Sequence, residues 1–177
     1  AARRGLRALY ASIEAAAEAV ARLMAQPATP AALEFMDAHA IALVRQRAGL
    51  DLPEAARALL MIEADGSQAA LAETAAALLE AADGPGCLEV REARGAAEQA
   101  ELWAARKALS PVLRQLAPKK INEDVVVPVS RLPELVRGLD RLRAQHDTLI
   151  VSFGHAGNGN LHVNLLYDPA QGDADAR

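Results

Sequence analysis

Apolar and polar positions alternate along this chain in two rhythms. Short runs of large or β-branched residues at 6–10, 31–36, 57–64, 87–93, 119–127, 148–153 and 161–167 predict seven strands. Between them, apolar residues recur at helical spacing. Val20, Leu23 and Met24 mark a helix over 14–26, and Ile41 and Val44 mark one over 37–47. Leu71, Leu78 and Leu79 mark 68–82, and Leu102, Leu109, Val112 and Leu113 mark 95–115. Leu135, Leu139 and Leu142 line one face of a fifth helix opening near Ser130. Local signals set the boundaries. Ser12, Ser67 and Ser130 are expected N-caps, with Pro133 and Glu134 in the first turn after Ser130. Pro27 to Pro30, a loop over 49–53, the Asp65-Gly66 turn, the run from Asp83 to Gly86, and Pro128 separate elements. Pro111 should kink or interrupt its helix near Ser110, because proline removes a helix hydrogen bond and clashes with the preceding turn.

The resulting order, β-α-β-α-β-α-β-α-β-α-β-β, fits one domain over 1–177. Taken alone it is compatible with a doubly wound α/β fold. The closing hairpin and short strands favour α+β. Ferredoxin-like β-α-β units would form a largely antiparallel sheet of about seven strands, with helices on one face. The bare face would then be covered by another domain or expose a large patch. No repeat is evident in the sequence.

Composition narrows the picture. The chain has 177 residues, 52% of them hydrophobic, enough for a sizeable core. A formal charge of −4 with no basic stripe excludes a general nucleic-acid binder. Cys87 is the single cysteine, so there is neither an internal disulfide nor a cysteine-rich zinc site, and a reducing, cytoplasmic setting fits. Nothing approaches membrane-span length, so any membrane association would be peripheral. The opening Ala-Ala-Arg-Arg lacks the apolar stretch of a signal peptide. An almost immediate apolar run and a polar tail from Gln171 suggest a piece of a larger protein.

Candidate chemistry concentrates at 151–167. Gly154, Gly157 and Gly159 lie in a connection between two strands, with His155 and His162 at its edges. Along the second strand His162 and Asn164 share one face, while Val163, Leu165 and Tyr167 share the other. The two imidazoles could converge on a metal, or simply bond loop carbonyls; spacing does not separate the two. The loop could offer N–H groups to an anion, although a tight hairpin also explains its glycines. Arg106, one turn after Trp103, is either a fork for a carboxylate or a solvated charge beside a packing indole. Lys119 and Lys120 form a solvated edge or meet an anionic substrate. His39 and His146 suit the surface, and Cys87 a buried position.

Three segments resemble one family. Glu123-Asp-Val-Val-Val-Pro-Val-Ser-Arg-Leu-Pro-Glu-Leu-Val136, Gly154-His-Ala-Gly-Asn-Gly-Asn-Leu-His162 and Leu102-Trp-Ala-Ala-Arg106 are similar to the C-terminal domain of FAD-linked oxidases. That group includes D-lactate and D-2-hydroxyglutarate dehydrogenases and the glycolate oxidase FAD subunit. The resemblance implies a substrate-binding cap over FAD, which is held by an FAD-binding domain of the same polypeptide before residue 1. It implies a small 2-hydroxy-acid substrate, hydride transfer from C2 to the flavin, and a separate electron acceptor; a homodimer is compatible with it. His155 and His162 correspond to ligands of a divalent metal (zinc, manganese or iron), and Arg106 and Asn164 to residues that hold the substrate carboxylate. Gly157, Gly159 and Asn160 would lie near the cofactor. The third ligand and the catalytic base belong to a Glu-His-Gly segment expected beyond Arg177, so this piece alone should be inactive. Asn122 stands where some relatives carry lysine, and Asn158 where aspartate is common. The alternative is a free-standing ferredoxin-like module that binds a small anion or regulates.

Overall fold

The computed structural model describes residues 2–48, 52–93 and 95–171. Seven strands form one sheet: β1 (Ala2–Tyr10), β2 (Ala32–Asp37), β3 (Ala58–Gly66), β4 (Cys87–Glu92), β5 (Lys119–Val126), β6 (Leu149–His155) and β7 (Asn160–Tyr167). They lie in the order β4-β1-β3-β2-β6-β7-β5, with every neighbouring pair antiparallel. Five helices connect them: α1 (Ile13–Met24), α2 (Ala38–Ala48), α3 (Leu71–Ala82), α4 (Ala96–Leu113) and α5 (Leu132–His146). The α+β class and the element order are as expected from the sequence. The expected loop at 49–53 and the tail from Gln171 fall largely outside the described residues.

One expectation needs correction: the helices do not share a face. Helices α1, α3 and α5 pack with Leu6, Ala8, Tyr10, Phe35, Leu60, Ile62 and Val163. Helices α2 and α4 pack on the opposite face with Leu9, Met36, Leu59, Met61, Val151, Phe153 and Leu166. The reason is visible in β3, where Ala58 to Ala64 is almost unbroken apolar sequence and is buried throughout. Unbroken runs belong to strands covered on both sides, whereas one-sided strands alternate.

The sheet is two copies of one split unit. In β1-α1-β2-β3 the third strand inserts between the first two; β5-α5-β6-β7 repeats this, and β2 pairs with β6 to join them. Helices α1 and α5 meet across the junction. The repeat escapes sequence comparison because equivalent positions carry different side chains: His162 falls where the first unit has Met61, and Asn164 where it has Glu63.

Other local readings are refined. Ser12 caps α1 as expected, its hydroxyl accepting from Ala15 N at 3.1 Å. Ser130 does not cap α5; it lies in a 3-10 turn at Val129–Arg131 that runs directly into the helix. Helix α5 buries Leu132, Val136 and Leu139, leaving Leu142 exposed. Pro111 does not interrupt α4, which continues through it to Leu113. It falls in the last turn, so the helix forgoes the one hydrogen bond that its nitrogen would have given to the preceding turn and ends two residues later. His39, His146 and Cys87 are each half-buried.

Asp37 pins the junction between the two units. At the end of β2 its carboxylate accepts from Ala40 N (2.8 Å), Ser152 N (2.6 Å) and Arg143 Nη2 (3.3 Å), joining α2, β6 and α5. Burial pushes its pKa up to about 6 against the pull of those donors. A carboxyl raised in the folded state holds its proton more tightly there than in the unfolded chain. Its stabilising contribution is therefore full below the ordinary value near 4 and is lost as pH rises through about 6. Urea unfolding between pH 4 and 7 should show a loss of up to about 3 kcal/mol from this group, and Asp37→Asn should flatten that slope.

Candidate active site

The site grows from sheet register. Antiparallel pairing sets Glu34 of β2 opposite His155 of β6, Phe153 of β6 opposite His162 of β7, and His162 opposite Asp124 of β5. Paired residues share a face, so one row of functional groups crosses four strands on the α2–α4 side. Helix α4 straps that face diagonally. Its Gln99 bonds Glu63 of β3 at 3.4 Å, its Arg106 bonds Glu34 at 2.7 Å, and its Ser110 receives Lys120 of β5 at 3.5 Å. Arg106 thus reaches the row from the flank of the helix.

Glycines hold the hairpin that carries the histidines. Gly159 has φ +74°, and a Cβ there would fall 1.9 Å from the Val127 carbonyl oxygen. The turn at Ala156–Asn158 closes by Gly159 N donating to Ala156 O at 3.0 Å. Asn160 N donates to Asn158 Oδ1 at 3.3 Å. These two N–H groups are spent within the loop, which weakens the anion-cradle reading.

The two imidazoles stand together, ring centroids 5.5 Å apart and planes at 78°. Their side chains are 54% and 25% exposed for His155 and His162. Each ring is held at Nδ1 by a carboxylate, His155 by Glu34 and His162 by Asp124 at 2.5 Å. An ionised carboxylate only accepts, so each Nδ1 carries the proton. In the neutral rings this leaves both Nε2 lone pairs available to a ligand, the arrangement by which carboxylates orient metal-binding histidines. The hydrogen bond to His162 holds the Asp124 carboxyl below its ordinary range.

Glu34 is buried, its side chain only 5% exposed, and it bridges His155 and Arg106. Arg106 is neither solvated nor idle. Its side chain is 11% exposed, its Nε donates to Glu34, and its Cζ lies 4.5 Å from the Phe153 ring centroid. Among the described residues its terminal nitrogens make no further hydrogen bond, so they are the donors a ligand carboxylate would find. Asn164 lies on the same face but is fully buried. Its amide donates to the Val151 and His162 carbonyls, both at 3.2 Å, and its Oδ1 lacks a partner among the described residues. As placed, it presents an acceptor and no free donor. Of the two lysines, alternation puts Lys120 on the site face with Asn122 and Asp124. Burial and nearby Arg114 lower the pKa of Lys120.

Gly157 and Asn160 flank this hairpin, each half-buried, while Gly159 is buried against Val127. Sequence reasoning missed Glu34 and the supporting role of Asp124. A signal for Glu34 exists: it is a lone carboxylate inside the apolar run Leu33-Glu-Phe-Met36. For Asp124 the signal is the period-two polar series Lys120, Asn122, Asp124. Among the described residues no three His, Cys, Asp or Glu side chains converge to hold a metal. The pair of rings supplies two Nε2 donors, fewer than the three protein ligands usual at a catalytic zinc.

An antiparallel α+β domain with a histidine pair, a buried Glu–Arg link and an open polar face is the class these features define. The chain belongs to the FAD linked oxidases, C-terminal domain, a family that matches residues 1–177. It is 35% identical to the glycolate oxidase subunit GlcD of Bacillus subtilis over 92% of this chain and 35% of that protein. It is 32% identical to GlcD of Escherichia coli K12 over 93% of this chain and 33% of the relative. A D-lactate dehydrogenase of Anaerostipes hadrus is 28% identical over 87% of the chain and 34% of its own length. The chain thus spans about a third of these relatives. In fold it is similar to alkyldihydroxyacetonephosphate synthase, with a TM-score of 0.67 and 13% identity over 96% of this chain and 36% of that one. Among the described residues no helix is long and apolar enough to cross a membrane.

Proposed function

We propose that this domain is the substrate-binding cap of an FAD-dependent 2-hydroxy-acid dehydrogenase, taking a small acid of the glycolate, D-lactate or D-2-hydroxyglutarate kind. The observation that carries the reading is the pair of imidazoles, each fixed at Nδ1 with Nε2 unbonded among the described residues, beside an arginine whose terminal nitrogens bond no other described residue. The names of the curated relatives point the same way.

Oxidation of a 2-hydroxy acid removes the hydroxyl proton and a hydride from C2, leaving a 2-oxo acid. FAD, held by another domain of the same polypeptide, would supply the hydride acceptor, with a separate electron acceptor as its partner. Arg106 binds the substrate carboxylate through its terminal nitrogens, and the Phe153 ring beneath keeps the guanidinium in place. Asn164 acts as a positioning residue, because its donors hold the backbone of His162. Nε2 of His155 and of His162 would hold a divalent zinc, manganese or iron ion together with ligands from outside this chain. Such an ion supplies Lewis acidity at the substrate hydroxyl. The proton leaves to a base outside the chain. Gly157, Gly159 and Asn160 form the hairpin tip on the cofactor side.

The test is anaerobic reduction of the flavin in the full-length holoprotein by glycolate, D-lactate and D-2-hydroxyglutarate. At least one should bleach it, and Arg106→Met should raise KM for that acid by roughly tenfold or more, the worth of a lost charge-assisted hydrogen bond. His155→Ala should weaken divalent-metal binding to the full-length protein. No bleaching by any of the three acids, or equal metal binding by the variant, overturns the reading. The 177-residue chain alone should purify without stoichiometric flavin.

A further inference from the structure

Helix α4 carries Arg106 yet stands off the sheet: among the described residues no strand approaches it as closely as α2 does. Its apolar seam of Leu102, Ala105, Leu109 and Leu113 faces the core. Such packing is non-directional, so it selects the buried face of the helix but leaves its tilt to the polar contacts. Towards the C-terminus the tether is slight, because Lys120 Nζ lies 3.5 Å from Ser110 Oγ, at the outer limit of a hydrogen bond. Arg106 itself meets Glu34 at one point, through Nε. A rod held at one point can still pivot about it.

The second point lies at the other end of the helix. Arg7 of β1, Glu89 and Arg91 of β4, and Glu98 in the first turn of α4 close a ring of alternating charge. Arg7 Nε donates to Glu89 Oε1 at 2.7 Å, and its Nη1 to Glu98 Oε1 at 3.1 Å. Arg91 Nε donates to the same Glu89 oxygen at 3.1 Å. Its Nη1 and Nη2 fork onto the two Glu98 oxygens at 2.9 and 2.5 Å. The bond from Arg7 holds the Glu89 carboxyl below its ordinary range, and the bond to Glu98 raises the pKa of Arg91. The side chains of Arg7 and Glu98 are only 7% and 15% exposed, so salt screens the ring little. A bidentate arginine fork is directional as apolar packing is not. Along the helix, Glu98 and Arg106 are about 12 Å apart, at 1.5 Å per residue.

We propose that this ring, remote from the row of site residues, sets where the Arg106 guanidinium stands, with Glu98 and Arg91 as positioning residues. Glu34 holds Arg106 Nε, and the ring fixes the direction of the helix that carries it. Together the two anchors decide where the terminal nitrogens of Arg106 point. Without the Arg91–Glu98 fork, α4 tilts about the Glu34 bond and carries the guanidinium from its place over the Phe153 ring. The kinetic consequence rests on Arg106 binding the substrate carboxylate; the geometric one does not.

The test compares Glu98→Gln and Arg91→Gln in the full-length holoprotein, with whichever of glycolate, D-lactate and D-2-hydroxyglutarate bleaches the flavin. KM should rise by roughly three- to tenfold with kcat within about twofold, as when binding shared by ground and transition states is lost. Neither substitution should raise KM further in an Arg106→Met background, because the ring acts through that guanidinium. Leu78→Ala, buried on the opposite face of the sheet, should destabilise the domain without moving KM. In protein labelled with nitrogen-15 arginine, the Arg106 Nε–H signal should shift in Glu98→Gln with or without substrate. An unchanged KM in both variants, a rise that persists without Arg106, an equal rise in Leu78→Ala, or an unshifted Arg106 signal each overturns the proposal. A flavin that no hydroxy acid bleaches defeats the dehydrogenase reading alone, and the Arg106 signal then decides the positioning role.

Discussion

Glu34→Ala will destabilise this domain by roughly 3–5 kcal/mol, the usual cost of removing one partner from a buried ion pair. The substitution strips two groups at once. Arg106, 11% exposed, loses the carboxylate that meets its Nε at 2.7 Å and keeps a charge it cannot shed. His155 loses the acceptor that fixes its tautomer. Glu34→Gln separates the two effects. Its amide oxygen can still accept from Arg106, but its nitrogen cannot accept from His155 Nδ1, so the stability cost should fall to about 1–3 kcal/mol. Urea denaturation of the unmodified protein, Glu34→Ala, Arg106→Met and the variant carrying both substitutions gives a double-mutant cycle. Coupling between positions 34 and 106 below about 0.5 kcal/mol, the level seen for independent sites, would remove the bridge from the account. The functional effect should exceed the structural one in Glu34→Gln. Nitrogen-15 spectra should show His155 leaving the Nδ1-protonated form while His162 keeps it. In the full-length holoprotein, turnover should fall by about 10–100-fold, as when an outer-shell partner of a metal-binding histidine is lost. A merely structural role for Glu34 predicts no tautomer change at His155.

The strand and helix order was legible because every element carries its own apolar period, and because Pro and Gly fall between elements. Antiparallel pairing was legible in the closing hairpin, where His155 and Asn160 face one another across a glycine turn. The closing hairpin and short strands suggest helices on one face, whereas the unbroken apolar run of β3 carries the signal that both faces are covered. The site divides similarly. His155, His162 and Arg106 stand in motifs or near glycines, so residue type and spacing single them out. Glu34 lies far from them in sequence, and only the β2–β6 pairing brings it to His155. No local period encodes which of two distant strands become neighbours. Asn164 shows the opposite limit. Alternation gave its face correctly, yet burial and hydrogen bonding set which end of its amide is free.

Gly159→Ala will be the most disruptive single-methyl change in the hairpin. Its backbone sits at φ +74°, where a side chain costs roughly 1–2 kcal/mol before any contact is counted. The added carbon would then lie 1.9 Å from the Val127 oxygen, a distance no side-chain rotation relieves because the oxygen is backbone and a Cβ is fixed by its own backbone. Relief requires β5 and β7 to part at this end, breaking the bond from Val127 N to Gly159 O at 3.1 Å. The combined cost should exceed about 3 kcal/mol, the upper range for a single strained residue. Gly157→Ala is the matched control, since its new carbon would meet only the Leu33 side chain at 3.3 Å and Met24 Sδ at 3.6 Å. It should change stability by less than about 1 kcal/mol. Because Asp124 rides on β5 and His162 on β7, parting the strands also pulls the carboxylate from the imidazole. Gly159→Ala should therefore free the His162 ring to adopt either tautomer, while Gly157→Ala leaves it Nδ1-protonated. Equal stabilities for the two variants would mean that the contact between this hairpin tip and β5 does not hold the site together.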